Sequence, residues 1–210
     1  SSQQKGFGIL GISLLICFIV AIFAAFFYFF SASGLDKWST VLFFCLLPLL
    51  LIAITFLMIR YLPVSLYLIP FAWVPLVVRS FYDSRMAMIT HLVTVLICAL
   101  AVPVPLEFLV IQTIVGAVTI VSMQDMSQRS QVVQTAGWIV LTYAVGYTAF
   151  CLISPTHIHS IDGYTYLYIV LNGVLVVCGS YGLILLFERL FGFTSATMLI
   201  ELTNINSSLL

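Results

Sequence analysis

The chain has 210 residues, of which 63% are hydrophobic and only 7% charged, with a mean hydropathy of +1.23. A water-soluble domain of this size needs far more charge on its surface, so the composition excludes one and describes an integral membrane protein. Seven basic and seven acidic residues cancel to a net charge of zero, which leaves no basic field to gather nucleic acid and excludes that class of partner.

The first apolar run, residues 7–30, is longer than the core of a cleaved signal peptide and reads as a transmembrane helix. Its end is crowded with aromatic rings from Phe26 to Phe30, as expected where side chains meet headgroups. A loop over 31–38 follows, with the turn signal Ser33-Gly34. Helix two is expected over 40–59, closed by Arg60 and Pro63. Helix three, about 63–78, is short and kinked by Pro70 and Pro75, which a membrane accepts when neighbours satisfy the freed carbonyls. A polar turn over 79–85 leads into helix four, 86–101. Pro103 and Pro105 then break the chain before helix five, 106–123. Beyond a loop at 124–130, helix six is expected over 131–153, and 154–163 forms a histidine-bearing loop. Helix seven, 164–187, covers about 36 Å at ~1.5 Å per residue and is long enough to cross a bilayer.

These elements predict an all-α fold: a seven-transmembrane-helix bundle over residues 1–193 and a short cytoplasmic amphipathic helix in a connector over 194–210. Gly192 stands where a helix end favours the left-handed conformation, Thr194 or Ser195 can cap the next helix, and Met198, Leu199 and Leu202 share one face of it. The chain ends at Leu209-Leu210 without a polar finishing turn, as expected of a segment that continues into another domain. An odd number of crossings puts the two ends on opposite sides. Lys37, Arg79, Arg85, Arg129 and Arg189 fall on one side and Lys5 and Arg60 on the other, so the first side, with the carboxy terminus, is expected to be cytoplasmic. No internal repeat suggests the matched halves of many transporters.

Polar side chains inside the spans are the first candidates for ligand binding, because hydrocarbon makes them costly without partners. By depth, His91 and Gln134 belong to the inner half, and Gln112 and Asn172 to the outer half. Each set is expected to pair across helices as hydrogen-bond glue or to line a ligand pocket. On helix seven, Gly173, Gly179, Ser180 and Gly182 let a neighbour approach closely, either within the chain or from a partner copy in a homodimer. Tyr143 and Tyr147 stand one turn apart on helix six, as core or as a cavity wall. Cys17, Cys45, Cys98, Cys151 and Cys178 lie in apolar runs and read as small buried packing residues. His157, His159 and Asp162 offer zinc-type ligands in a weak pattern, better read as an exposed loop, so no metal site is assigned. No His-Asp dipeptide, His-Glu-x-x-His, Gly-x-Ser-x-Gly or phosphate-binding loop occurs, so no catalytic residue and no cofactor are expected in this chain. Retinal attachment is excluded, since Lys5 and Lys37 both flank spans.

The run from Glu188 to Leu210, ERLFGFTSATMLIELTNINSSLL, resembles the junction between the last membrane helix and the phosphohydrolase domain of the seven-transmembrane HD family, the PgpH-type bacterial phosphodiesterases of cyclic di-AMP. The likeness is sharpest at Leu199-Ile200-Glu201-Leu202 and Leu209-Leu210. Arg79-Ser80-Phe81-Tyr82-Asp83-Ser84-Arg85-Met86-Ala87, Glu107-Phe108 and Arg129-Ser130-Gln131 fit the family's membrane region. The resemblance implies a multi-pass protein of the bacterial inner membrane, amino terminus outside and carboxy terminus cytoplasmic. It also implies an extracellular domain before this region, and after it an HD domain that cuts cyclic di-AMP at a two-metal centre. In that reading the seven helices sense or relay a signal, with Gly192, Glu201 and Leu202 coupling helix seven to the enzyme domain. The rival expectations are a small-solute transporter or channel, and a passive dimerising anchor.

Overall fold

A computed structural model describes residues 2–30, 38–62, 65–123, 130–153 and 162–192. The described residues form seven α-helices and one 3-10 turn: α1 Ser2–Phe30, α2 Trp38–Tyr61, the turn Leu66–Leu68, α3 Trp73–Phe81, α4 Ser84–Ala99, α5 Pro105–Ser122, α6 Ser130–Ile153 and α7 Gly163–Phe191. No strand occurs among them. The proposed amphipathic helix, with Glu201 and Leu202, lies outside the described residues.

Five helices are long and apolar enough to cross a membrane, over Gly8–Phe29, Ser39–Tyr61, Pro105–Ser122, Gln131–Ile153 and Gly163–Phe191. Two shorter apolar stretches, Leu66–Phe81 and Ser84–Ala99, complete the bundle. At ~1.5 Å per residue, α4 is about 24 Å long and α3 about 14 Å, both short of a ~30 Å hydrocarbon core.

The expected third helix is in fact broken in two. Pro70 lacks an N–H and restricts the residue before it, and Ile69 is extended at φ −73°, ψ 121°. The chain restarts as a helix only at Trp73. Pro75 then falls in the first turn of α3, where a missing N–H costs nothing. The location of α3 explains why this break survives. Val74, Leu76, Val77 and Val78 are all fully buried, because α3 packs against α4, α5 and α7 at the centre of the bundle. Irregular backbone at membrane depth is tolerated where protein, rather than lipid, surrounds it.

Two apolar cores flank α3. One joins α2, α3, α4 and α7 around Phe43, Leu47, Leu51, Phe71, Val77 and Phe187. The other joins α3, α5, α6 and α7 around Leu76, Ile111, Val115, Ile139, Tyr143 and Val176. The first core ends in a cluster of rings. Phe43 packs edge-on against Phe44, Phe81 and Phe187 at centroid distances of 5.3, 5.6 and 4.9 Å, and Tyr82 lies 5.6 Å away. That cluster gathers the start of α2 and the ends of α3 and α7, so Arg79, Arg85 and Arg189 share this end, whereas Arg60 closes α2 at the other. Among the described residues the arginines sort as expected from the sequence; Lys37 and Arg129 lie outside them. By contrast, α1 is peripheral: it packs on α4, and its Phe23 and Phe27 lie 6.5 and 4.9 Å from Phe44.

The cysteines depart from expectation. Cys98 and Cys151 are buried, but Cys17, Cys45 and Cys178 are exposed on the outer surfaces of their helices, and all five are free thiols. A thiol is apolar enough to face lipid, so an apolar run does not imply an inward position. On α7, Gly173 meets Val140 of α6, and Gly179 receives the Trp73 indole, whose Nε1 donates to the Leu175 carbonyl at 3.0 Å. Ser180 is buried, while Gly182 faces open space.

Candidate ligand cleft

At the end of the bundle opposite the phenylalanine cluster, the backbone break before α3 leaves the 3-10 turn leaning against the start of α5. The Tyr67 hydroxyl donates to Glu107 Oε1 at 2.5 Å. Glu107 sits in the first turn of α5, where the helix dipole favours a carboxylate, yet the α5 N-cap Val104 has no side-chain cap. The carboxylate is thus turned across to Tyr67 instead of back onto its own helix. Beside this pair, between the 3-10 turn and the start of α5, lies a cleft of about 190 Å³, lined by Ser65, Leu66, Tyr67, Pro103, Val104, Glu107, Phe108, Ile111 and Gln112.

The wall that carries Tyr67 is fixed from behind. Asn172 on α7 is fully buried, and its Nδ2 donates to the Tyr67 and Ile69 carbonyls, both at 2.8 Å. Both carbonyls belong to the broken segment, where Pro70 and the extended Ile69 forbid helical bonds; the Asn172 amide serves the Tyr67 carbonyl and shares the Ile69 carbonyl with the Phe71 N–H, which lies 2.9 Å from it. Asn172 Oδ1 is buried with no partner among the described residues. The ring of Tyr67 is also held, edge-on, by Tyr143 at 5.9 Å and Tyr147 at 5.4 Å, and Tyr166 continues the row 5.3 Å beyond Tyr147. Tyr147 accepts from the Asp162 backbone N–H at 3.2 Å, and Asp162 itself caps α7 by accepting from Tyr164 N. Asp162 is therefore a helix cap; His157 and His159 lie outside the described residues.

Gln112 forms the inner limit of the cleft. Its Oε1 accepts from the Tyr143 hydroxyl at 2.8 Å, which leaves the two amide hydrogens as the donors it still offers. Its backbone carbonyl lies 2.8 Å from Nε2 of the fully buried His91. A carbonyl only accepts, so His91 carries its proton on Nε2, and the bare Nδ1 has no partner among the described residues. The imidazole reaches that carbonyl because α5 has Gly116 one turn later, and a Cβ there would collide with the ring.

Of the four intramembrane candidates, the structure brings His91, Gln112 and Asn172 into one connected set with Tyr67 and Tyr143. Gln134 is exposed on α6 and takes no part. The expected pairing by depth is corrected accordingly: His91 joins Gln112 and not Gln134, because the rotation of a residue about its helix decides what it meets. The Tyr67–Glu107 pair was not singled out from sequence, although a lone tyrosine between two prolines and a lone acid opening an apolar helix were visible signals.

Gly192 stands at the far end of α7. Its φ of 63° and ψ of 24° place it in the left-handed region, and its N–H donates to the Glu188 carbonyl at 3.0 Å, ending the helix as expected. One helix thus carries both Asn172, behind the cleft, and this stop.

No curated protein and no solved structure matches the chain. Residues 7–195 do match a family model described as "7TM receptor with intracellular HD hydrolase". With that match spanning most of its length, this apolar helical bundle belongs to the family of 7TM receptors with an intracellular HD hydrolase.

Proposed function

We propose that this chain is the sensory membrane domain of a receptor whose cytoplasmic HD phosphohydrolase cuts cyclic di-AMP. In this reading Leu66–Phe81 and Ser84–Ala99 count as the third and fourth of seven crossings. The cleft faces the outside of the bacterial inner membrane, and Gly192 faces the cytoplasm. The observation that carries the proposal is the position of Asn172. It ties the cleft wall at Tyr67 and Ile69 to α7, the helix that ends at Gly192. α7 has no internal proline and is about 43 Å long at ~1.5 Å per residue, so a shift imposed at one end is carried to the other as a rigid displacement.

A ligand regulates the enzyme only through a difference in affinity for two packings of the bundle. The broken segment before α3 is the natural place for a second packing, since a few hydrogen bonds and ring contacts hold it where a continuous helix would not yield. Residues beyond Gly192, with Glu201 and Leu202 among them, then set the pose of the HD domain. The two metals of that domain belong to it and not to this chain. The test is Gly192→Pro in the intact protein, because proline is locked near φ −65° and cannot adopt the observed φ of 63°. Hydrolysis of cyclic di-AMP should lose its response to the external stimulus. An unchanged rate and response would refute the relay.

A further inference from the structure

We infer that the cleft between the 3-10 turn and α5 binds a small organic ammonium group, with Glu107 as its counter-ion. This rests on the sensory reading only for its consequence, and its own argument is chemical. Among the described residues Glu107 is the one charged group lining the cleft, with no lysine or arginine there to neutralise the carboxylate. The carboxylate is not spent on capping α5, whose N-cap has no side-chain bond. Its one hydrogen bond, from the Tyr67 hydroxyl, orients it and leaves lone pairs on both oxygens for a second donor. Glu107 is half-exposed, so a ligand can reach it.

The remaining lining fits a cation with a short apolar body. Phe108 and Tyr67 also line the cleft and supply aromatic surface suited to an ammonium or its methylene groups. Ser65 at the mouth adds a hydroxyl, and the Gln112 amide closes the inner end. A volume of about 190 Å³ is below the ~300–1,000 Å³ of sites for drug-sized ligands. The occupant is therefore a small amine or the headgroup of a larger amphiphile. An anionic ligand is disfavoured by the unpaired carboxylate, and a purely apolar one leaves it unsolvated.

The experiment uses the chain in phosphatidylglycerol nanodiscs, with hexylammonium as probe and hexanol as its neutral match, and reads the midpoint of thermal unfolding. A ligand that binds only the folded state raises that midpoint in a saturable way. Hexylammonium should raise it and hexanol should not. Glu107→Gln keeps an acceptor for Tyr67 but removes the charge, and should weaken the response at least tenfold in concentration. Val104→Trp, which fills the mouth at an exposed position, should abolish the response with no loss of fold. Adding phosphatidylethanolamine separates the two sources of an ammonium group: competition with hexylammonium assigns the cleft to a lipid headgroup, and no competition assigns it to a free amine. Equal responses to hexylammonium and hexanol, no saturable response to either hexylammonium or phosphatidylethanolamine, or full retention in Glu107→Gln would each overturn the inference. Binding that leaves the hydrolase rate of the intact protein unchanged would instead refute the sensory reading and keep this one.

Discussion

At one end of the bundle Phe43 is enclosed by Phe44, Phe81, Tyr82 and Phe187; at the other, Tyr67 is held by Glu107, Tyr143, Tyr147 and the α7 residue Asn172 behind it. The first end is packed ring on ring. The second is assembled from directional bonds around a cleft, on a stretch of backbone that proline prevents from being helical. Dispersion packing has one dense optimum and resists small shifts. A hydrogen-bonded segment with an adjoining cavity can exchange partners at modest cost. The difference teaches that the same bundle can have a fixed end and a responsive end, with α7 running through both.

The largest effect is expected at the fixed end. Phe43→Ala empties a fully buried ring site and should cost about 3–5 kcal/mol by thermal unfolding in nanodiscs. Ligand affinity at the cleft should be unchanged in whatever fraction stays folded. Asn172→Leu strips the Tyr67 carbonyl of its donor, while the Ile69 carbonyl keeps the Phe71 N–H at 2.9 Å, and should cost about 1–3 kcal/mol for the one unpaired group. Unlike Phe43→Ala, it should also weaken binding in the cleft, and a pure stability loss would erase the distinction between the ends. Gly116→Ala drives a methyl group into the His91 ring and should cost about 1–3 kcal/mol. A double-mutant cycle with His91→Ala should recover at least about 1 kcal/mol of that, whereas additivity would place the ring elsewhere. Tyr143→Phe removes only the 2.8 Å bond to Gln112 and should cost about 0.5–1.5 kcal/mol. Its sharper signature is a loosened Gln112 amide, seen as a faster-exchanging side-chain NH2 signal.

Much of the fold was legible in the sequence because a bilayer demands apolar length. α1, α2, α5, α6 and α7 fall where the hydropathy placed them, and their ends moved for identifiable reasons. α7 continues past Glu188 and Arg189 to Phe191, since charge at an interface does not stop a helix, and the left-handed Gly192 does. The third helix differs in kind from its expected form. Two prolines five residues apart announce a break, but only the surrounding helices reveal that the break is buried and its carbonyls served by a residue about a hundred positions away.

The candidate site was legible as composition and not as geometry. Gln112, Asn172 and His91 were visible as costly polar groups. Depth along a helix put His91 beside Gln134, whereas rotation about the helix and the gap at Gly116 put it on Gln112. Cys17, Cys45 and Cys178 teach the same lesson from the other side, since in lipid both faces of a helix are apolar and periodicity no longer marks the interior.

The account stands most directly on whether occupancy of the cleft is felt by the enzyme domain. The decisive measurement is the hydrolase rate of the intact protein in native membranes, comparing wild type with Val104→Trp. A filled cleft should change the rate about fivefold or more and remove its dependence on external ligand. A rate and ligand response identical to wild type, in a variant whose cleft no longer binds, would contradict the account.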